Sequence, residues 1–193
     1  MKLKLILSLA LVTMLVTNCK KNDYNPSVKK YPADVANDWI QLQIKLTRTT
    51  PGYNSLVSNR SFGYAGLTMY ESIFPAISGS TSLLSQIGGT TVTPAKDKKD
   101  YFWPASLNAA MASITKQFFE STSPANMFTI DSLETAYKTK FQNEADADKI
   151  KNAEDYGIEV ANSIFEWSKT DGGHQAYKHI VDPSYVPPVG PGL

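Results

Sequence analysis

At 193 residues, with 42% hydrophobic and 19% charged side chains, the chain has the balance of one globular domain rather than of a disordered or multi-spanning membrane protein. Its formal net charge of +1, with no long run of one sign, gives nothing to steer it toward nucleic acid. Arg48 and Arg60 are the only arginines, which excludes a pocket built from several planar guanidinium groups gripping one anion.

The chain opens with Lys2 and Lys4 ahead of an apolar run from Leu5 to Val16, the length of a signal-peptide core and too short to span a bilayer. Val16-Thr17-Asn18-Cys19 follows and resembles a bacterial lipobox, with Asn18 larger than the usual small residue before the cysteine. The expectation is a signal peptide over 1–18 and lipid on Cys19, the single cysteine, which has no partner for an internal disulfide. Residues 19–31 are polar and suit a flexible tether between the membrane and a helical domain over 32–170.

Within that domain the spacing predicts an all-α fold, a bundle of about five helices. Val35, Trp39, Leu42 and Leu46 define the first helix, with Asp34 near its positive end, and Thr49-Thr50-Pro51-Gly52 stops it. A second helix is expected from Ser58 or Asn59, with Phe62, Gly66, Met69 and Ile73 on its inner face and Pro75 ending it. Ser78 to Lys99, rich in Ser, Thr and Gly, is a long solvated loop in which Thr90-Thr91-Val92-Thr93 has the composition of a short strand.

Pro104 suits the first turn of a third helix with the face Leu107, Met111, Ile114 and Phe118. A fourth carries Ile130, Leu133, Tyr137 and Phe141 after the break at Ser121 to Pro124. The clearest pattern is the fifth, with Ile150, Ala153, Gly157, Val160, Ile164 and Trp167. Its small residues Ala153, Gly157 and Ala161 invite close approach by another helix. From Asp171 the periodicity stops, and residues 171–193 form a Pro/Gly-rich segment expected to be extended and to lead into further chain beyond Leu193.

Several residues, taken in order, carry a resemblance. Trp39, then Arg60 through Ala65 to Tyr70-Glu71, then Gly157, Ala161, Ile164 and Trp167 before Asp171-Gly172, then Pro187-Pro188-Val189-Gly190-Pro191-Gly192 are similar to exported vanadium-dependent haloperoxidase-like proteins. That family belongs to the type 2 phosphatidic acid phosphatase superfamily. It implies an all-helical enzyme whose early helices pack against a later bundle holding vanadate or phosphate. The family's lysine, arginine-proline, Pro-Ser-Gly-His and downstream arginine-histidine-aspartate motifs do not occur in this sequence. The resemblance therefore implies the scaffold portion of such an enzyme, without catalytic residues or a cofactor of its own, vanadate or phosphate being expected only in a fuller relative. A missing C-terminal half or a second copy of the chain are the implied protein partners. The alternative is an intact small envelope lipoprotein that binds a partner or ligand.

Few residues invite chemistry. His174 and His179, with Asp171 or Asp182, suggest a metal site, but their spacing matches no closed ligand set and fits a glycine-capped helix end with two partly exposed imidazoles. Arg60 and Glu71 share the second helix, and their separation is taken to place them on different faces, so no catalytic pair is assigned. Arg60 is expected in an ion pair or at the carbonyls of another helix end, and Glu71 beside a lysine. Glu144, Asp146 and Asp148 fit a solvated helix start. Tyr101-Phe102-Trp103 fits a plug in the core, a carbohydrate or lipid platform requiring those rings to be exposed side by side.

Overall fold

The computed structural model describes residues 28–179 together with Ser184, Val186, Val189 and Gly190. The signal peptide, Cys19, most of the tether, Asp182 and the Pro187-Pro188 motif lie outside the described residues.

The fold is all-α. Five long helices, α1 (Asp34–Thr49), α2 (Ser55–Glu71), α4 (Trp103–Phe118), α5 (Pro124–Phe141) and α6 (Ala147–Ser168), are joined by turns and by one long loop holding the single-turn α3 (Leu84–Ile87). No strand occurs among the described residues, and Thr90 to Thr93 is irregular, Val92 alone turning into the core. An isolated short strand without a neighbour has no partner for its backbone groups.

Helix α1 buries Val35, Trp39, Leu42 and Leu46, the face its periodicity predicts. Helix α2 differs from expectation at its start and in its face. Asn54 caps it, accepting a 3.0 Å bond from the Val57 amide, so it begins before Ser58. Its buried residues are Val57, Ser61, Ala65, Thr68 and Glu71, about a residue's turn away from the Phe62, Gly66, Met69 face. The hydroxyls of Ser61 and Thr68 donate to the carbonyls of Val57 and Tyr64, at 3.0 and 2.8 Å, which makes their burial tolerable.

Helix α4 is the axis of the domain and is buried nearly all round, through Leu107, Met111, Ile114 and Phe118 and also through Ala105, Ser106, Asn108, Ala109, Ala110 and Thr115. Helix α6 crosses it closely. An added Cβ at Gly157 would lie 2.2 Å from the Ser106 carbonyl oxygen, so only glycine permits the approach, and Ala153 and Ala161 beside it are fully buried. Three polar bonds, the first and last of them buried, fix α1 and α5 to this axis: Trp39 Nε1 donates to Asn108 Oδ1 at 2.9 Å, Asn108 Nδ2 to the Glu134 carbonyl at 3.1 Å, and Gln43 Nε2 to Thr115 Oγ1 at 3.0 Å.

Candidate functional site

The segment after α6 is folded rather than extended up to His179. It makes two 3-10 turns, Lys169–Asp171 and Ala176–Lys178, and packs back against the start of α2 and the end of α4. Gly172, at φ 79°, turns the chain, and Gly52, at φ 87°, receives it, since a Cβ there would meet the Tyr177 carbonyl oxygen at 2.4 Å. Tyr53 stacks between Phe119 and Tyr177, at 4.6 and 6.0 Å between ring centres, and its hydroxyl donates to the Phe118 carbonyl.

Arg60 is the strut of this region. Its Nε lies 2.8 Å from Asp171 Oδ2, and its Nη2 donates to Asp171 Oδ1 and to the Ser168 carbonyl at the end of α6. Both roles expected of it, ion pair and helix-end contact, are present together, and the guanidinium also lies over Tyr64 and Phe118. Burial pushes Asp171 up, but bonds from Arg60, the Gly173 amide and Tyr64 outweigh it and hold the carboxyl below its ordinary range.

A second link joins Glu120 to Gln175 Nε2 at 2.9 Å and to the Tyr177 hydroxyl at 2.5 Å. The Tyr177 bond, then that of Gln175, holds Glu120 below the usual carboxylate range against opposing burial, while burial and Glu120 together push Tyr177 up to about 12. These carboxylates are therefore charged and these phenols neutral at ordinary pH, an arrangement for holding elements together rather than for exchanging protons. The space enclosed by Tyr53, Arg60, Ser61, Glu120, His174 and Tyr177 is only about 20 Å³, room for a water and too little for phosphate or vanadate.

His174 lies edge-on to Phe165 at 5.9 Å, and Asp171 faces Arg60 rather than either imidazole. Among the described residues no three His, Cys, Asp or Glu side chains gather as they would for a metal ion. Arg60 and Glu71 do share one side of α2, contrary to expectation, because eleven residues make three turns. What parts them is about 16 Å of helical rise. Glu71 is buried and meets no lysine. Its carboxylate accepts from Ser82 Oγ at 2.9 Å and from the Leu83 and Leu84 amides at 2.6 and 3.1 Å, pinning the long loop at the start of α3. Asp146 and Asp148 are exposed at the start of α6. Tyr101, Phe102 and Trp103 are all buried, so no exposed platform forms.

Sequence reasoning did not find the outer face of α2. Only Arg60 and Glu71 are charged on this helix: Glu71 is buried, while Arg60, paired with Asp171 and 16% exposed, borders the groove beside this face. What faces outward is Leu56, Asn59, Gly63 and Gly66. A groove of about 480 Å³ flanks it on one side, lined by Arg60 and Tyr64 as well as Leu67, Leu83, Ile87 and Trp167, and an apolar one of about 370 Å³ on the other, lined by Ile40, Ile44, Phe62 and Met69. The predicted outer face, opposite Phe62, Gly66, Met69 and Ile73, carries both charges of the helix, Arg60 and Glu71, so periodicity gave no signal for this surface.

Fold and site together define an all-α domain held by structural ion pairs. No family model, curated protein or solved structure matches the chain. Among the described residues no helix is long and apolar enough to cross a membrane.

Proposed function

We propose that this chain is the non-catalytic helical scaffold of an exported haloperoxidase-like or acid-phosphatase-like lipoprotein, held at the cell envelope by lipid on Cys19. The observation that supports it is the use made of Arg60: of the two arginines, this one spends its guanidinium on Asp171 and the end of α6, leaving no fork to grip an oxyanion. In this reading vanadate or phosphate belongs to other helices of the complete enzyme.

The test is phosphatase turnover by the whole 193-residue chain, with and without vanadate. The expected result is no turnover above background, and vanadate-sensitive turnover sinks the proposal. Mass spectrometry of the protein recovered from bacterial membranes tests the anchor: a diacylglyceryl-sized addition on Cys19 is expected, and Cys19→Ser should release the protein into the soluble fraction.

The exposed Leu56 and the largely apolar grooves flanking α2 favour a second reading, a small envelope lipoprotein whose role is to bind a protein partner. Loss of the partner through substitution on that face, with the scaffold still folded, is its distinguishing outcome.

A further inference from the structure

We propose that the cavity between the starts of α1 and α4 binds a free alkyl carboxylate of about eight carbons, a medium-chain fatty acid, with the alkyl tail inside and the carboxylate at the rim. The cavity has a volume of about 200 Å³, and its walls are apolar, formed chiefly by Val28, Tyr31, Ala36, Ile73, Trp103 and Leu107. An apolar cavity of about 150 Å³ takes a six-carbon ring, so this one has room for a chain of roughly eight carbons and too little for a whole lipid. Trp103 is 1% exposed, and its indole Nε1 is the one buried side-chain polar atom without a hydrogen-bond partner among the described residues. The wall of the cavity is thus where the chain itself completes its interior least.

The charge around the rim selects the head group. Helices α1 and α4 both present their starts to the cavity, through Ala33 and Ala36 on one and Trp103 and Pro104 on the other, and neither start is capped by a side chain. The unpaired amides of two helix starts carry partial positive charge, which favours an anion near them. Lys30 is exposed, belongs to the single turn Val28–Lys30 whose first residue walls the cavity, and forms no ion pair among the described residues. Its long side chain lets the ammonium meet a carboxylate at the opening. The nearest acids of α1, Asp34 and Asp38, stand on the opposite side of that helix from Ala36, where Asp38 accepts from the Tyr137 hydroxyl at 2.6 Å. A cationic head would meet two positive helix starts and a lysine, and a bare alkane would leave them unmet. An anionic head on an apolar tail answers both features at once.

The test is isothermal titration of the full chain with straight-chain carboxylates at neutral pH. Octanoate should bind once per chain with a dissociation constant of roughly 0.1–1 mM, each two-carbon step from butanoate to octanoate tightening it roughly tenfold and the gain ending near eight carbons as the cavity fills. Octylammonium should bind about fivefold more weakly or worse. Ala36→Phe and Ala33→Phe, each adding a ring at the cavity wall, should abolish octanoate binding with far-UV circular dichroism unchanged. Lys30→Glu should weaken octanoate about threefold or more while leaving octan-1-ol as it was. No saturable octanoate binding, equal binding of octylammonium, or affinity that keeps rising with chain length overturns the proposal. So does binding that survives both alanine substitutions in a folded chain, as uptake by the apolar run at 5–16 would. Binding seen only with phosphatidylglycerol vesicles assigns the cavity to a bilayer lipid, and octanoate binding seen only after Tyr24→Ser assigns it to the chain's own tether; either result overturns it too. The scaffold reading stands or falls separately, since vanadate-sensitive turnover removes it and leaves the carboxylate site.

Discussion

Glu71 shows how one buried side chain governs a distant segment. It is 1% exposed, and the Ser82 hydroxyl and two amides at the start of α3 converge on it. Hydrogen bonds to a charged acceptor are worth more than neutral ones, and an unmet buried donor costs its full desolvation. Glu71→Gln turns one acceptor into a donor facing donors. It should lower stability by about 2–3 kcal/mol, read as a fall in urea midpoint, with faster proteolysis between Ser78 and Lys99. A midpoint unchanged from the parent would show that the loop is held by other contacts. Gly157 is the steric counterpart. Gly157→Ala forces a methyl group against the Ser106 carbonyl and should cost about 1–3 kcal/mol, whereas Gly63→Ala, facing open space, should stabilise the fold by about 1 kcal/mol. Equal effects at the two glycines would contradict the close crossing of α4 and α6.

At the level of elements, the turns after α6 are held to α2 and α4 mainly by Asp171 and Glu120, both with carboxyls depressed in the folded state. A depressed acid stabilises the fold above its unfolded pKa, roughly 3.9 for Asp and 4.3 for Glu, and that contribution fades as pH falls through the lower folded value. The clasp should therefore loosen below about pH 4 while the five long helices persist. Amide exchange at Gly173, Ala176 and Lys178 reports it, and Asp171→Asn with Glu120→Gln should make protection at those amides, relative to an unstructured chain at the same pH, independent of pH in the acid range. Protection unchanged down to about pH 3 in the parent protein would contradict the assignment. This clasp was only partly legible beforehand. An ion pair or helix-end contact for Arg60 was expected once a catalytic pair with Glu71 was set aside, but Tyr53, Glu120, Gln175 and Tyr177 carry no mutual spacing that periodicity can see. Helix α1 and helix α6 were legible because each buries a single apolar stripe. Helix α2 was misplaced in rotation because Ser61 and Thr68 satisfy their own hydroxyls inside the core, so the inner face does not look apolar. Helix α4 has only Lys116 as a charge and is rich in alanine, a composition that already fits burial on all sides.

Across the molecule, α4 has the place that a central strand has in a sheet protein, and Asn108 is where three helices meet on it. Its amide joins Trp39 of α1 to the Glu134 carbonyl of α5, inside a core whose apolar contacts run through Leu107, Met111 and Ile114 of the same helix. Helix α5 has few other buried side chains, chiefly Ile130, Tyr137 and Phe141, so its attachment depends heavily on this polar link and on the Lys116 pairs with Asp131 and Glu134, at 2.8 and 2.6 Å. Asn108→Ala leaves the buried Trp39 indole N–H without a partner, removes the second bond to the Glu134 carbonyl and opens a small void. One unmet buried donor at about 1–3 kcal/mol, together with the void, should cost about 2–3 kcal/mol. Because α4 touches every long helix, that loss should appear at the same urea midpoint in tryptophan fluorescence and in far-UV circular dichroism, as one cooperative transition. Two separated transitions, with α5 melting first, would instead mean that α5 is a peripheral element and that α1, α2, α4 and α6 alone form the cooperative unit.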